Sequence, residues 1–312
     1  MNQLEKHKYR QLSLMLPLVK HVIIFIKLHA NSAEPISVIL EEIKCYHPDR
    51  AYGCEDYPEE GFSNLISVEE GNFWFESRNR FLSTLIRRYL SPLTNTKSFL
   101  EIGCGTGFVL RMLSETPGLE VSGSEIHLSG AKMAANRAPK AEVFQMDALR
   151  MEFHQKYDAI GLFDVLEHIE DDLEIISRIR QALRQSGILF LTVPQYPTFW
   201  SPQDTLAGHK RRYTKADLKN KIRQNGFQIL YVGSLFCSIF LLYVISRLQK
   251  KCLSTTEAEK QLMSEFHISP WLNRMLTIMC WFDLIAVHLG LRLPFGSSLV
   301  LVARSDGNCS ST

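Results

Sequence analysis

The 312-residue chain lacks any paired cysteine framework: its seven cysteines stand at 45, 54, 104, 237, 252, 280 and 309, and no two form a CxxC pair. That excludes a disulfide-stapled scaffold and fits a reducing compartment. The one metal-like grouping, Cys45, His47 and Cys54, lacks the second close pair of a zinc ribbon, so no metal is expected. An excess of one charge is also missing: 35 basic against 33 acidic side chains leave +2, which gives no reason to expect nucleic acid. Internal repeats and low-complexity tracts are absent. What is there, 46% hydrophobic and 22% charged residues, describes a folded globular protein long enough for a full core.

Uninterrupted apolar runs of membrane-spanning length are scarce too. Residues 12–28 follow basic Lys6, Lys8 and Arg10, but Lys20, His21 and Lys27 interrupt them, so they read as an amphipathic helix or an upstream extension rather than a signal or a span. No charge falls between 226 and 246, yet half of that stretch is needed as a strand. The stretch 268–293 carries Arg274, Asp283, His288 and Arg292, and a carboxylate at its middle is costly in hydrocarbon. Two amphipathic helices are expected here. With Arg247, Lys250, Lys251, Trp271 and Arg274 they suit an anionic membrane surface, and equally they suit a lid or dimer interface over a greasy ligand. The expected location is the cytoplasm, with peripheral attachment to the inner face of the membrane under the first alternative.

From 98 to 193 short β-branched runs alternate with helical periodicity, the pattern of a parallel sheet covered by helices. Strands are expected at 98–102, 119–125, 141–146, 157–163 and 187–193, with helices at 108–115 and 128–137. A further helix opens at Asp171 and Asp172, turns Leu173, Ile176, Ile179 and Leu183 inward and ends at Gly187. Thr214 and Asp217 form a capping box for a helix with Leu218 and Ile222 inward and Gly226 as its stop. A sixth strand follows at 227–236, and a last one at 297–303 is expected to return as its hairpin partner.

The loop Glu101-Ile-Gly103-Cys104-Gly105-Thr-Gly107 joins a strand to a helix, where absent β-carbons let a ligand approach the backbone. Glu125 ends the second strand at the spacing from which a carboxylate reaches ribose hydroxyls, and Asp147 ends the third, where it could meet an adenine amino group or only cap a helix. Together EIGCGTG, the acid of GSEIH, MDA at 146–148 and DVLEHI at 164–169 resemble the class I S-adenosylmethionine-dependent methyltransferases, in a bacterial type 11/12-like subgroup.

That resemblance implies an α/β, Rossmann-like seven-stranded sheet with helices on both faces and an antiparallel last strand, and S-adenosyl-L-methionine as cofactor. Carried over, it assigns Glu101, Gly103, Cys104, Gly105 and Gly107 to the methionine end, Glu125 and Ile126 to ribose, Asp147 and Ala148 to adenine, and Asp164 and Val165 to the wall near the sulfonium. Glu125 stands where Asp is commoner. Trp74 and Arg78, in a segment resembling one that precedes the first strand in the subgroup, either line the cofactor or serve a helix packed on the core.

On the acceptor side, His168 and His209 are candidate bases, although the Glu167-His168 pair also suits a structural or cofactor-side role. The run His209-Lys210-Arg211-Arg212 could clamp a phosphate or carboxylate or be a solvated loop, and Tyr196, Phe199, Trp200 and Tyr213 favour a substrate-facing loop. The expected organisation is an extension at 1–70, a core at 71–234, an apolar helical insertion at 235–294, the last core strand at 295–304 and a tail at 305–312. The activity so implied is O- or C-methylation of a hydrophobic or lipid-linked small molecule. The alternatives are a NAD-dependent oxidoreductase, against which GxGxG rather than GxGxxG speaks, and a non-catalytic scaffold of the same fold at a membrane.

Overall fold

The computed structural model of the protein describes residues 35–52, 59–91, 95–250 and 268–306. The apolar stretch 12–28, Cys54 and Lys251 lie outside them. Seven strands form the expected core: β3 (Lys97–Ile102), β4 (Leu119–Glu125), β5 (Glu142–Gln145), β6 (Tyr157–Phe163), β7 (Leu183–Pro194), β8 (Phe227–Leu235) and β9 (Ser298–Ser305). Two short strands from the expected extension, β1 (Val38–Leu40) and β2 (Ile43–Cys45), complete one sheet of order β1-β2-β5-β4-β3-β6-β7-β9-β8.

The sheet therefore has nine strands, not seven. Paired in parallel at Lys44 with Phe144 and Cys45 with Gln145, β2 covers a β5 edge whose polar groups would otherwise lie open to another chain. Ile43 and Cys45 join Leu128 and Ala131 in a small core, so Cys45 is a packing residue, its thiol pushed up to about 11 by burial. The last strand returns beside the sixth as expected and gains a second neighbour. It lies antiparallel between β7 and β8, pairing Leu191 with Leu301 on one side and Leu301 with Val232 on the other.

Alternation along the strands feeds two cores. Phe99 and Leu100, or Val300 and Leu301, are neighbours that point to opposite faces. One face packs α5 (Asp172–Ala182) and α7 (Lys215–Gln224); the other packs α2 (Phe73–Leu90), α3 (Phe108–Ser114), α4 (Leu128–Arg137) and α9 (Pro270–His288). The expected inner face of α5 needs correction. Leu173 is exposed, Ile175, Ile176, Ile179 and Ala182 are buried, and the helix ends five residues before Gly187 because Leu183 already pairs with Tyr157 in the sheet.

The apolar insertion supplies α8 (Phe240–Lys250) and α9. Asp283 does not face hydrocarbon: its carboxylate is buried and accepts hydrogen bonds from the Ser238 N–H (3.0 Å) and hydroxyl (3.1 Å) ahead of α8. Asn273 anchors the start of α9 to α2, accepting from the Phe73 N–H at 2.8 Å and donating to the Gly71 carbonyl at 2.7 Å. Among the described residues no helix is long and apolar enough to cross a membrane.

Candidate functional site

The turn from β3 into α3 is pinned by the Ser124 carbonyl of β4, which accepts from the N–H groups of Gly103 (2.8 Å) and Cys104 (3.0 Å). All three glycines have positive φ, +68° at Gly103, +53° at Gly105 and +81° at Gly107, but they are needed for different reasons. A β-carbon on Gly103 would stand 2.6 Å from Val165 Cγ2, and one on Gly107 2.7 Å from the Ala134 Cα. Those two let protein pack against protein. On Gly105 it would meet, among the described residues, only the Phe62 ring at 4.0 Å, so that glycine alone faces open space.

Around this opening stand the expected acids. Glu101 is 2% exposed, and its Oε2 has no hydrogen-bond partner among the described residues. Burial pushes its carboxyl well above the ordinary range against the pull of Arg78. Glu125 bridges back to the loop, accepting from the N–H groups of Gly105 (2.9 Å), Ile126 (2.9 Å) and His127 (3.2 Å). Three bonds leave part of a carboxylate's acceptor capacity for a hydroxyl. Asp147 caps the short turn Ala148–Arg150 through the Leu149 N–H (3.0 Å) and lies 3.6 Å from both Arg50 and Arg150, so its capping role is present beside any ligand role.

Asp164 follows β6 at φ +58°, a strained setting for a residue with a β-carbon, and its carboxylate is held by Arg78 and by the Thr192 hydroxyl at 3.1 Å. Arg78 lies over the Trp74 ring at 4.8 Å, and Trp74 stacks on Phe236. Phe75 is core, as expected of a helix packed on the sheet, while Trp74 and Arg78 pack together beside Asp164.

Sequence reasoning missed a second layer over the loop. The helix α1 (Glu59–Glu69) brings Phe62 against Gly105 and against the His127 ring, 5.6 Å between centroids. At its end Glu69 accepts from the buried Thr106 hydroxyl at 2.7 Å and, itself buried, pairs with Arg137. The only signal was the apolar spacing of Phe62, Leu65 and Val68, which marks a helix but not what it covers.

On the other side of Asp164, the turn Leu166–His168 carries Glu167 and His168. Glu167 is 1% exposed, its Oε2 is unpartnered among the described residues, and burial reinforced by Asp164 raises its carboxyl well above the ordinary range. His168 is pushed down to about 3 by burial and by His209, which leaves it neutral and a weak base at pH 7. The two imidazoles meet edge to face, 4.8 Å between centroids.

The basic run is neither a free clamp nor a solvated loop. His209 Nδ1 lies 2.9 Å from Asp204, Arg212 grips the same carboxylate at 2.6 Å and 2.8 Å, and Arg211 donates to the Ile169 and Glu170 carbonyls. Only Lys210 of the four is exposed. Tyr213 is also withdrawn: fully buried, it donates to Asp172 at 2.9 Å. These side chains turn inward because Asp204 and Asp172 are themselves buried and need cationic or hydroxyl partners. Roofing this region, α8 places Phe240 and Tyr243 against Phe199, with the Tyr243 hydroxyl 2.7 Å from Arg212 and Arg247 reaching Ser201 and Asp204.

Residues 74–232, half of the chain, match the model of a family described as a methyltransferase domain. A "Probable S-adenosylmethionine-dependent methyltransferase" of Mycobacterium tuberculosis is 24% identical over 183 residues, 58% of this chain and 63% of that protein. The chain thus spans less than two thirds of that curated relative's length. A ubiquinone biosynthesis O-methyltransferase of Histophilus somni is 26% identical over 117 residues, 34% of this chain and 48% of that one. Among solved structures, phosphoethanolamine N-methyltransferase 2 of Haemonchus contortus in complex with S-adenosyl-L-methionine has a TM-score of 0.55 at 18% identity, covering 81% of this chain and 58% of that one. At that identity the likeness is one of fold.

Proposed function

Because the chain belongs to the class I S-adenosylmethionine-dependent methyltransferases, we propose that it transfers a methyl group to an oxygen or carbon of a hydrophobic small molecule, lipid-linked or free, presented from a membrane surface. The observation that carries the reading is the pairing of an open glycine at 105 with the orphaned buried carboxylate oxygen of Glu101, a cradle that accepts a cationic amino group beside the main chain. When bound there, S-adenosylmethionine supplies a methyl group already activated by positive sulfur. Glu101 and the loop 103–107 would hold its methionine end, Glu125 and Ile126 its ribose, and Asp147 and Ala148 its adenine.

What the chain contributes is placement. Arg78, Trp74 and Thr192 fix Asp164 at what would be the wall between donor and acceptor, and α8 lays Phe240 and Tyr243 against Phe199 on the acceptor side. Fixing two reactants in a near-attack arrangement supplies up to about 7–11 kcal/mol of a barrier. The apolar acceptor is supported by the aromatic roof of Phe199, Phe240, Tyr243 and Phe295. Membrane presentation is supported by the outer faces of α8 and α9, where Leu241, Leu248, Trp271 and Phe282 are each more than half exposed.

Methyl-labelled cofactor supplied to purified protein with fractionated lipids and small metabolites should place label in the organic phase; label only in the aqueous fraction refutes the apolar acceptor. Calorimetry should show that Gly105→Arg abolishes cofactor binding in a folded protein, and an unchanged affinity would refute the site.

A further inference from the structure

One cluster on the acceptor side, with Glu167 buried and His168 and His209 half-buried, is not used by the mechanism above. Glu167, His168 and His209 bring one carboxylate oxygen and two imidazole nitrogens within 4.8 Å of one another. We propose that these three side chains bind a divalent first-row transition ion of the zinc class, which ligates an oxygen of the acceptor next to the methyl-donor site. The metal binding stands on the geometry alone, whereas its role in holding the acceptor rests on the methyltransferase reading.

Four features carry the proposal. First, the donor set: two imidazoles and one carboxylate suit zinc, cobalt, iron or manganese, where magnesium and calcium favour all-oxygen shells. Three protein ligands leave a position open for an outside oxygen, as in catalytic rather than structural sites. Second, Glu167 Oε2 is buried without a hydrogen-bond partner among the described residues, a placement that is costly unless a cation or donor completes it. Third, His209 is oriented from behind. Its Nδ1 is engaged by Asp204 at 2.9 Å, which leaves Nε2 as its ligating nitrogen, and a carboxylate behind a ligand imidazole is the recurrent way proteins orient such ligands. Fourth, the neighbouring cations are already compensated: Arg78 is paired with Asp164 and Arg212 with Asp204, while Lys210 is exposed.

Bonds of about 2.0–2.1 Å to a tetrahedral ion place its ligands roughly 3.3 Å apart, so side-chain rotation must draw the trio together from 4.8 Å. The turn that carries Glu167 and His168 begins two residues after Asp164, so an acceptor oxygen on the ion would lie beside the wall of the donor site. The cysteines, which exclude a zinc ribbon, do not bear on this site.

Cobalt(II) titration tests the proposal without any turnover. Untagged, chelator-stripped protein should develop a visible d–d absorption that saturates at one equivalent. His209→Ala and the near-isosteric Glu167→Gln should lose the band or require at least tenfold more cobalt, with an unchanged circular dichroism spectrum. Exposed, remote His154→Ala should bind as the parent protein does. Absence of a saturable band in the folded parent, or a band that survives both substitutions, overturns the proposal. Calorimetry with S-adenosylmethionine on the same preparation separates the two claims: cofactor binding without cobalt binding overturns the ion site alone, and cobalt binding without cofactor binding overturns the methyltransferase reading.

Discussion

Replacing Asp204 with alanine should destabilise the protein more than any other single change on the acceptor side. Its side chain is fully buried and accepts from the Ser201 N–H (2.9 Å) and hydroxyl (3.0 Å), from His209 and from Arg212, with Arg247 at 3.5 Å. Burial by itself would raise its carboxyl, but the His209 hydrogen bond and the charges of Arg212 and Arg247 outweigh it and hold the group below the ordinary range. Alanine would leave Arg212, whose side chain is 2% exposed, as an unpaired buried charge. Breaking such a pair costs about 3–5 kcal/mol, or roughly 6–20 °C in Tm for a chain of this size. The same depression makes the effect pH-dependent. A carboxylate lowered in the folded state contributes its full stability above the unfolded value of about 3.9 and loses it as pH falls through the folded value. Urea denaturation of parent and Asp204→Ala should therefore show a constant gap at neutral pH that narrows below about pH 4. A gap under about 1 kcal/mol at pH 7, or one that does not narrow in acid, would refute the account of this hub.

The glycine loop predicts a split between its members. Gly107→Ala should cost about 2–5 kcal/mol by chemical denaturation, since the new methyl would meet backbone at 2.7 Å in a left-handed conformation, whereas Gly105→Ala should cost only the conformational part, about 1–2 kcal/mol. Equal losses would mean that Gly105 is also a packing glycine. On the outer face of the insertion, Leu241→Gln combined with Phe282→Gln should leave stability within about 1 kcal/mol yet lower co-sedimentation with anionic vesicles several-fold. Unchanged sedimentation would remove the membrane from the proposed function.

Much of the core was legible because its signals are local. Periodicity placed β4, β6 and α4 at their observed bounds, and three alternating glycines marked the turn between a buried strand and a helix, where the structure has all three at positive φ. Local patterning erred where pairing decided. Leu183 has helical spacing but is drawn into the sheet by Tyr157; β9 does pair with β8 as expected, and the pattern only left out its second neighbour, β7.

By itself, then, the sequence determined the order of the core strands and helices, the loop and the acids that follow it, since each depends on residues within one element or at its end. Only the tertiary structure decided what meets across elements. It added α1 over Gly105, spent the basic run on Asp204 and Asp172, and turned Asp283 inward to Ser238. It also brought Glu167, His168 and His209 together from two separate loops. A charge in a sequence has a sign but no partner, and partners are chosen by burial: a buried carboxylate draws in whichever cation or donor the fold carries past it.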